Sequence, residues 1–127
     1  MNGIFARPGD TMRSGASLDS IQTVSGSDFD AMVLRSEGPI AVEFMSYACG
    51  HCGALEPVLQ RAAAEVRADE KVFRVNVAAE PELAASYEIQ GTPTLIMFLG
   101  GKEVGRVAGP DPTAASVLDA ITQPFAH

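Results

Sequence analysis

Tyr47-Ala48-Cys49-Gly50-His51-Cys52 holds the two cysteines of this 127-residue chain, three positions apart. Just upstream, Ile40-Ala41-Val42-Glu43-Phe44-Met45 is a short apolar run that reads as a buried strand. Just downstream, Leu55, Val58, Leu59, Ala62, Ala63 and Val66 recur at helical spacing. A Cys-x-x-Cys pair at a strand-to-helix junction is a redox site first and a metal site second.

The placement has chemical consequences. The first N–H groups of a helix lack intrahelical partners, and the helix dipole is positive at that end. A thiolate at Cys49 is stabilised there, so its pKa is expected below the free value of about 8.5. Cys52 lies nearly one turn on and should be more enclosed. Cys49 is then the attacking thiol, and Cys52 the thiol that resolves the mixed disulfide. His51, between them, can add positive charge or a hydrogen bond near Cys49, or point to solvent. Glu43 shares a strand face with Ala41 and Met45, opposite Ile40, Val42 and Phe44. If the cysteine helix covers that face, Glu43 is buried, its pKa rises, and it can take the Cys52 proton directly or through water. The alternative is a carboxylate at a sheet edge, solvated or paired with Arg74.

Outward from this centre the elements alternate. Residues 1–17 carry glycine, serine and charge without period and read as a flexible arm, leaving 18–127 as one domain. Ile21 to Val24 is a strand candidate. Ser27 is the expected N-cap of a helix through Phe29, Met32 and Val33, stopped by Gly38-Pro39. The cysteine helix should reach about Ala68, with a kink at Pro57. Val72, Phe73, Val75 and Val77 form a strand, and Pro81 opens a helix through Tyr87. Thr94 to Leu99 is again a buried strand. Gly100-Gly101 is a hairpin turn by composition, Glu103 to Val107 the returning strand. Pro112 or Thr113 to Ile121 closes the chain as a helix. The order β-α-β-α-β-α-β-β-α predicts an α/β domain, a mixed sheet with helices on both faces.

Composition bounds the function. The chain is 46% hydrophobic with a net charge of −7, ordinary for a globular protein that buries its own core. That charge argues against nucleic acid and anionic membrane surfaces as partners. There is no run of about 18 apolar residues and no apolar core of a secretory signal near the start, so a cytoplasmic location is expected.

Taken together, the motifs resemble the thioredoxin family from about Leu18 onward. The resemblance rests on Val42-Glu43-Phe44 leading into Cys49-Gly50-His51-Cys52, on Pro57 five residues after Cys52, on Gly91-Thr92-Pro93-Thr94, and on Gly101-Lys102-Glu103-Val104 with Gly109. It implies a thioredoxin fold with Cys49 exposed at a helix start and a cis peptide before Pro93. It implies substrate contacts from Tyr47, Ala48, Gly50, Thr92 and Pro93, with the Thr92 backbone pairing to an extended client segment. It further implies a monomeric thiol-disulfide oxidoreductase for protein disulfide or dithiol clients, serving electron transport and cell redox homeostasis. Such a protein needs no bound cofactor or metal of its own, but it needs a recycling reductase or dithiol partner.

The chain also departs from the family pattern. Ala48 stands where tryptophan is usual, with Tyr47 one place earlier. His51 replaces the proline of thioredoxins and Gly53 a lysine. Cys-Gly-His-Cys and Glu43 match disulfide isomerase domains better. Values established for those proteins, about −270 mV for thioredoxin and −180 mV for the isomerase, differ by about 4 kcal/mol, enough to reverse a preferred direction. Arg74, read as the start of the next strand, is either an exposed cation or one that holds Glu43 ionised against its burial. Two other readings stay open: an adaptor or chaperone-like module that keeps the fold with little redox turnover, and a four-thiolate metal or iron–sulfur site shared by two chains.

Overall fold

The computed structural model describes residues 20–126. The arm expected over residues 1–17 and the domain start at Leu18 lie outside the described residues. The strands are β1 (Gln22–Thr23), β2 (Pro39–Met45), β3 (Lys71–Asn76), β4 (Thr94–Leu99) and β5 (Lys102–Ala108). They form one five-stranded sheet in the order β1-β3-β2-β4-β5. β3 runs parallel to β1 and β2, while β4 is antiparallel to both β2 and β5. The helices are α1 (Gly26–Phe29, continued as a π-helical turn over Asp30–Leu34), α2 (Gly50–Glu65), α3 (Pro81–Ser86) and α4 (Ala114–Thr122). The element order is the one the sequence predicts.

Side-chain alternation splits the core into two layers. On one face Ala41, Val72, Leu95 and Met97 meet Leu55, Leu59 and Ala62 of α2 and Val117 and Ile121 of α4. On the other, Ile40, Val42, Phe44, Phe73, Val75, Ile96 and Phe98 meet Phe29 and Val33 of α1, with Leu83 of α3 packed against them. Phe29 anchors that second layer, with ring centroids 5.6 Å from Tyr87, 5.9 Å from Phe98 and 6.4 Å from Phe44. Contacts of this kind contribute about 0.5–1.5 kcal/mol each beyond their area burial.

Local boundaries correct the sequence reading in places. The N-cap of α1 is Ser25, not Ser27: its hydroxyl accepts the Asp28 N–H at 3.3 Å. Ser27 instead meets the Ser25 hydroxyl. β1 is shorter than expected, and α2 stops at Glu65 while running through Pro57. β3 begins at Lys71, so Arg74 is a mid-strand residue and not a strand start. Gly100 and Gly101 turn the β4–β5 hairpin with φ of 61° and 79°, the left-handed pair that a two-residue hairpin favours. A Cβ on Gly101 would also sit 2.2 Å from the Leu34 carbonyl oxygen.

Candidate active site

The site gathers at one end of the sheet. β2 ends at Met45, and the chain turns through a Cys49 N–H bond to the Ser46 carbonyl at 3.1 Å before α2 begins. Antiparallel pairing sets Thr94, the first residue of β4, opposite Phe44 and also opposite Ala108 of β5. The segments before β4 and after β5 therefore arrive beside the cysteine turn. They are tied by the Gly109 N–H to the Pro93 carbonyl at 2.8 Å. The Thr92–Pro93 peptide is cis, as the resemblance implies. Thr92 is half-buried, and its carbonyl oxygen accepts from the Cys49 thiol at 3.5 Å.

Cys49 is itself the N-cap of α2. Its backbone is extended, and its sulfur accepts the Cys52 N–H at 3.1 Å, where a serine or aspartate oxygen would ordinarily sit. Hydrogen bonding from the Cys52 side chain, then from Thr92, with the Cys52 and His51 N–H groups adding to them, holds the Cys49 thiol below its ordinary value. Burial, then the bond to Cys49, pushes Cys52 up. The exposures follow suit: Cys49 is half-buried and Cys52 is 2% exposed. The two thiols thus hold opposite tendencies within disulfide reach of each other. The N-terminal end of the helix acts here through directed N–H groups, the contacts on which the dipole argument depends.

Around the pair, Tyr47 is 71% exposed, Ala48, Gly50 and His51 are exposed, and Pro93 is buried. The His51 ring lies toward Gly109: a Cβ added there would sit 3.8 Å from its Cε1. Among the described residues, no group of three or more Cys, His, Asp or Glu side chains is placed to hold a metal ion. His127, the second histidine of the chain, lies outside them.

Glu43, Arg74 and Glu56 form a charged triad, two of whose members share a cavity with Cys52. Glu43 is fully buried on the α2 side of a central strand, not at a sheet edge. Its register partner on β3 is Arg74, 5% exposed, which corrects the reading of Arg74 as an exposed cation. Arg74 Nε donates to Glu43 Oε1 at 3.2 Å, and its Nη2 donates to Glu56 Oε1. Glu43 Oε2 is buried and has no hydrogen-bond partner among the described residues. Burial pushes the Glu43 carboxyl up to about 7; Arg74 opposes this and Glu56 adds to it. Burial is the larger influence on Glu43 and Arg74 the opposing one. A cavity of about 230 Å³, lined by Met45, Ser46, Tyr47, Cys52, Gly53, Glu56 and Arg74, reaches two members of the triad, Glu56 and Arg74. Glu56 is a residue the sequence reading missed. The available signal was its position four residues after Cys52, which puts both on one side of the helix.

The thioredoxin family profile matches residues 20–123. The chain belongs to the thioredoxin family. It is 37% identical over 104 residues to thioredoxin 1 of Nostoc, covering 80% of this chain and 97% of that one. It is 35% identical over 104 residues to the chloroplastic thioredoxin M5 of rice, covering 80% of this chain and 60% of the rice protein. A Mycobacterium leprae protein named bifunctional thioredoxin reductase/thioredoxin is 34% identical over 110 residues, with 87% of this chain matched but 23% of that protein. The chain therefore spans less than two thirds of the rice and Mycobacterium leprae relatives. Family, fold and the Cys49–Cys52 pair together make this a thiol-disulfide oxidoreductase domain.

Proposed function

We propose that the protein reduces or exchanges disulfides of protein clients, with Cys49 as nucleophile and Cys52 as resolving thiol. The observation that carries this reading is the Cys49 sulfur capping α2 at 3.1 Å from the Cys52 N–H. Cys49 thiolate attacks a client disulfide sulfur; that S–S bond breaks, and one client thiolate leaves. Cys52 then gives up its proton, its thiolate attacks the Cys49 sulfur, and the Cys49–client bond breaks. The protein ends with a Cys49–Cys52 disulfide and the client with two thiols, a transfer of two electrons. Glu43 is the base that receives the Cys52 proton through water in the adjoining cavity. Its unpaired oxygen and a midpoint of about 7 suit that task near neutrality.

Client contact falls to Tyr47, Ala48, Gly50, Thr92 and Pro93. Tyr47 presents an exposed ring one place before Ala48, which holds the family's tryptophan position, and Thr92 supplies backbone beside the sulfur. His51, exposed beside the attacking sulfur, favours thiolate over disulfide and moves the pair toward the oxidising end of the family. The protein works as a cytoplasmic monomer, a placement that cell fractionation and sedimentation test. Recycling by a reductase or a dithiol protein completes the cycle; the name of the Mycobacterium leprae relative, joining thioredoxin reductase and thioredoxin, supports this class of partner. Insulin reduction with dithiothreitol tests the whole reading: wild type accelerates precipitation, and equal rates for wild type and Cys49→Ser would refute it. The adaptor reading gains support only if client binding survives loss of both thiols.

A further inference from the structure

Arg74 stands between two carboxylates and donates to both from different nitrogens, Nε to Glu43 and Nη2 to Glu56. A planar guanidinium can do this without moving. The two acids differ in surroundings: the Glu43 side chain is fully buried, whereas that of Glu56 is 35% exposed and lines the cavity that also touches Cys52. We propose that Glu56 is a positioning residue for the resolving step: it shares Arg74 with Glu43 and a cavity with Cys52, and so leaves the buried carboxyl free to take up and release a proton.

The charge count makes the argument. With Glu56 present, one cation faces two carboxylates, so Glu43 is only partly compensated. Without the Glu56 carboxylate, the same cation faces Glu43 alone, and the ionised form of Glu43 is favoured. Among the described residues, the charged groups that act on Glu43 are Arg74 and Glu56. The partner of Glu43 on β4 is Leu95, and α4 adds Val117 and Ile121 to the same layer. The titratable groups lining the adjoining cavity are Cys52 and Glu56 from α2, Arg74 from β3 and Tyr47 from the turn before α2. The cavity joins Cys52 to the half-exposed Glu56, so a proton released from the pair has a route to water.

This inference rests on the oxidoreductase reading, and two readouts separate them. The first is a ¹³C-carboxyl NMR titration of Glu43 in wild type, Glu56→Gln and Glu65→Gln, the last an exposed acid farther along the same helix. In Glu56→Gln the Glu43 midpoint falls, because a like charge is removed and Arg74 serves Glu43 alone. In Glu65→Gln it stays at the wild-type value. The second is the pH profile of insulin reduction, whose acidic limb moves down by the same amount in Glu56→Gln, while the pH profile of Cys49 alkylation does not move. An unmoved Glu43 midpoint in Glu56→Gln, or an equal fall in Glu65→Gln, overturns the role of Glu56. Absence of insulin reduction by wild type overturns the oxidoreductase reading instead, and the carboxyl titration still decides the assignment of Glu56.

Discussion

Replacing Glu43 by glutamine should make the protein more stable at alkaline pH and flatten part of its pH dependence. The reasoning is linkage. Burial raises the Glu43 carboxyl from its ordinary 4.5 to about 7 in the folded chain. The folded state therefore holds this proton more tightly than the unfolded state. Its contribution to stability is fully present below pH 4.5 and is lost as pH rises to about 7. The displacement from 4.5 to about 7, at ~1.36 kcal/mol per pH unit, comes to about 3 kcal/mol. Glutamine stands in for the protonated acid at every pH. Urea unfolding of both proteins from pH 4.5 to 8.5 gives the difference curve. Glu70, also raised by burial to about 7, tilts both curves alike and drops out of the difference. The expected difference grows with pH to about 3 kcal/mol in favour of Glu43→Gln. Parallel curves would show that Arg74 neutralises Glu43 fully and that burial does not govern it.

The same substitution should slow insulin reduction by ~10²-fold or more if Glu43 takes the Cys52 proton, since general bases contribute on that scale; stopped-flow measurement of mixed-disulfide decay checks it. Cys52→Ser should accumulate a client mixed disulfide on non-reducing gels that Cys49→Ser does not form. Tyr47→Ala should raise KM for a protein client while leaving urea unfolding within ~0.5 kcal/mol, because an exposed ring contributes little to the core. Gly101→Ala should lower stability by ~1–3 kcal/mol in the same unfolding assay, because it combines a φ of 79° with a close approach to the Leu34 carbonyl.

Much of this was legible in the sequence because it depends on period and punctuation. The alternation in Ile40 to Met45 assigned Glu43 to the same side as Ala41, and the structure puts that side under α2. Gly100-Gly101 and Pro81 marked a turn and a helix start that hold. What the sequence left open turns on three-dimensional neighbours. Arg74 could be read either as an exposed strand start or as a cation holding Glu43 ionised, and parallel pairing with β2 carries it beneath α2. Ser25 and Ser27 are both good caps by composition, and only backbone geometry separates them. Glu56 sits in a helix with ordinary polar neighbours, and its meaning comes from a cation on a strand 18 residues away.

The borders of the sheet carry a consequence of their own. One border is a strand two residues long, and the other bears Lys102, Glu103 and Arg106 beside a bulge in the partnering at Met97/Phe98. Charged, irregular or very short borders are poor templates for another copy's backbone. Another copy of this chain, or a client held at its sulfurs, thus has little chance of growing a fibril along its flanks.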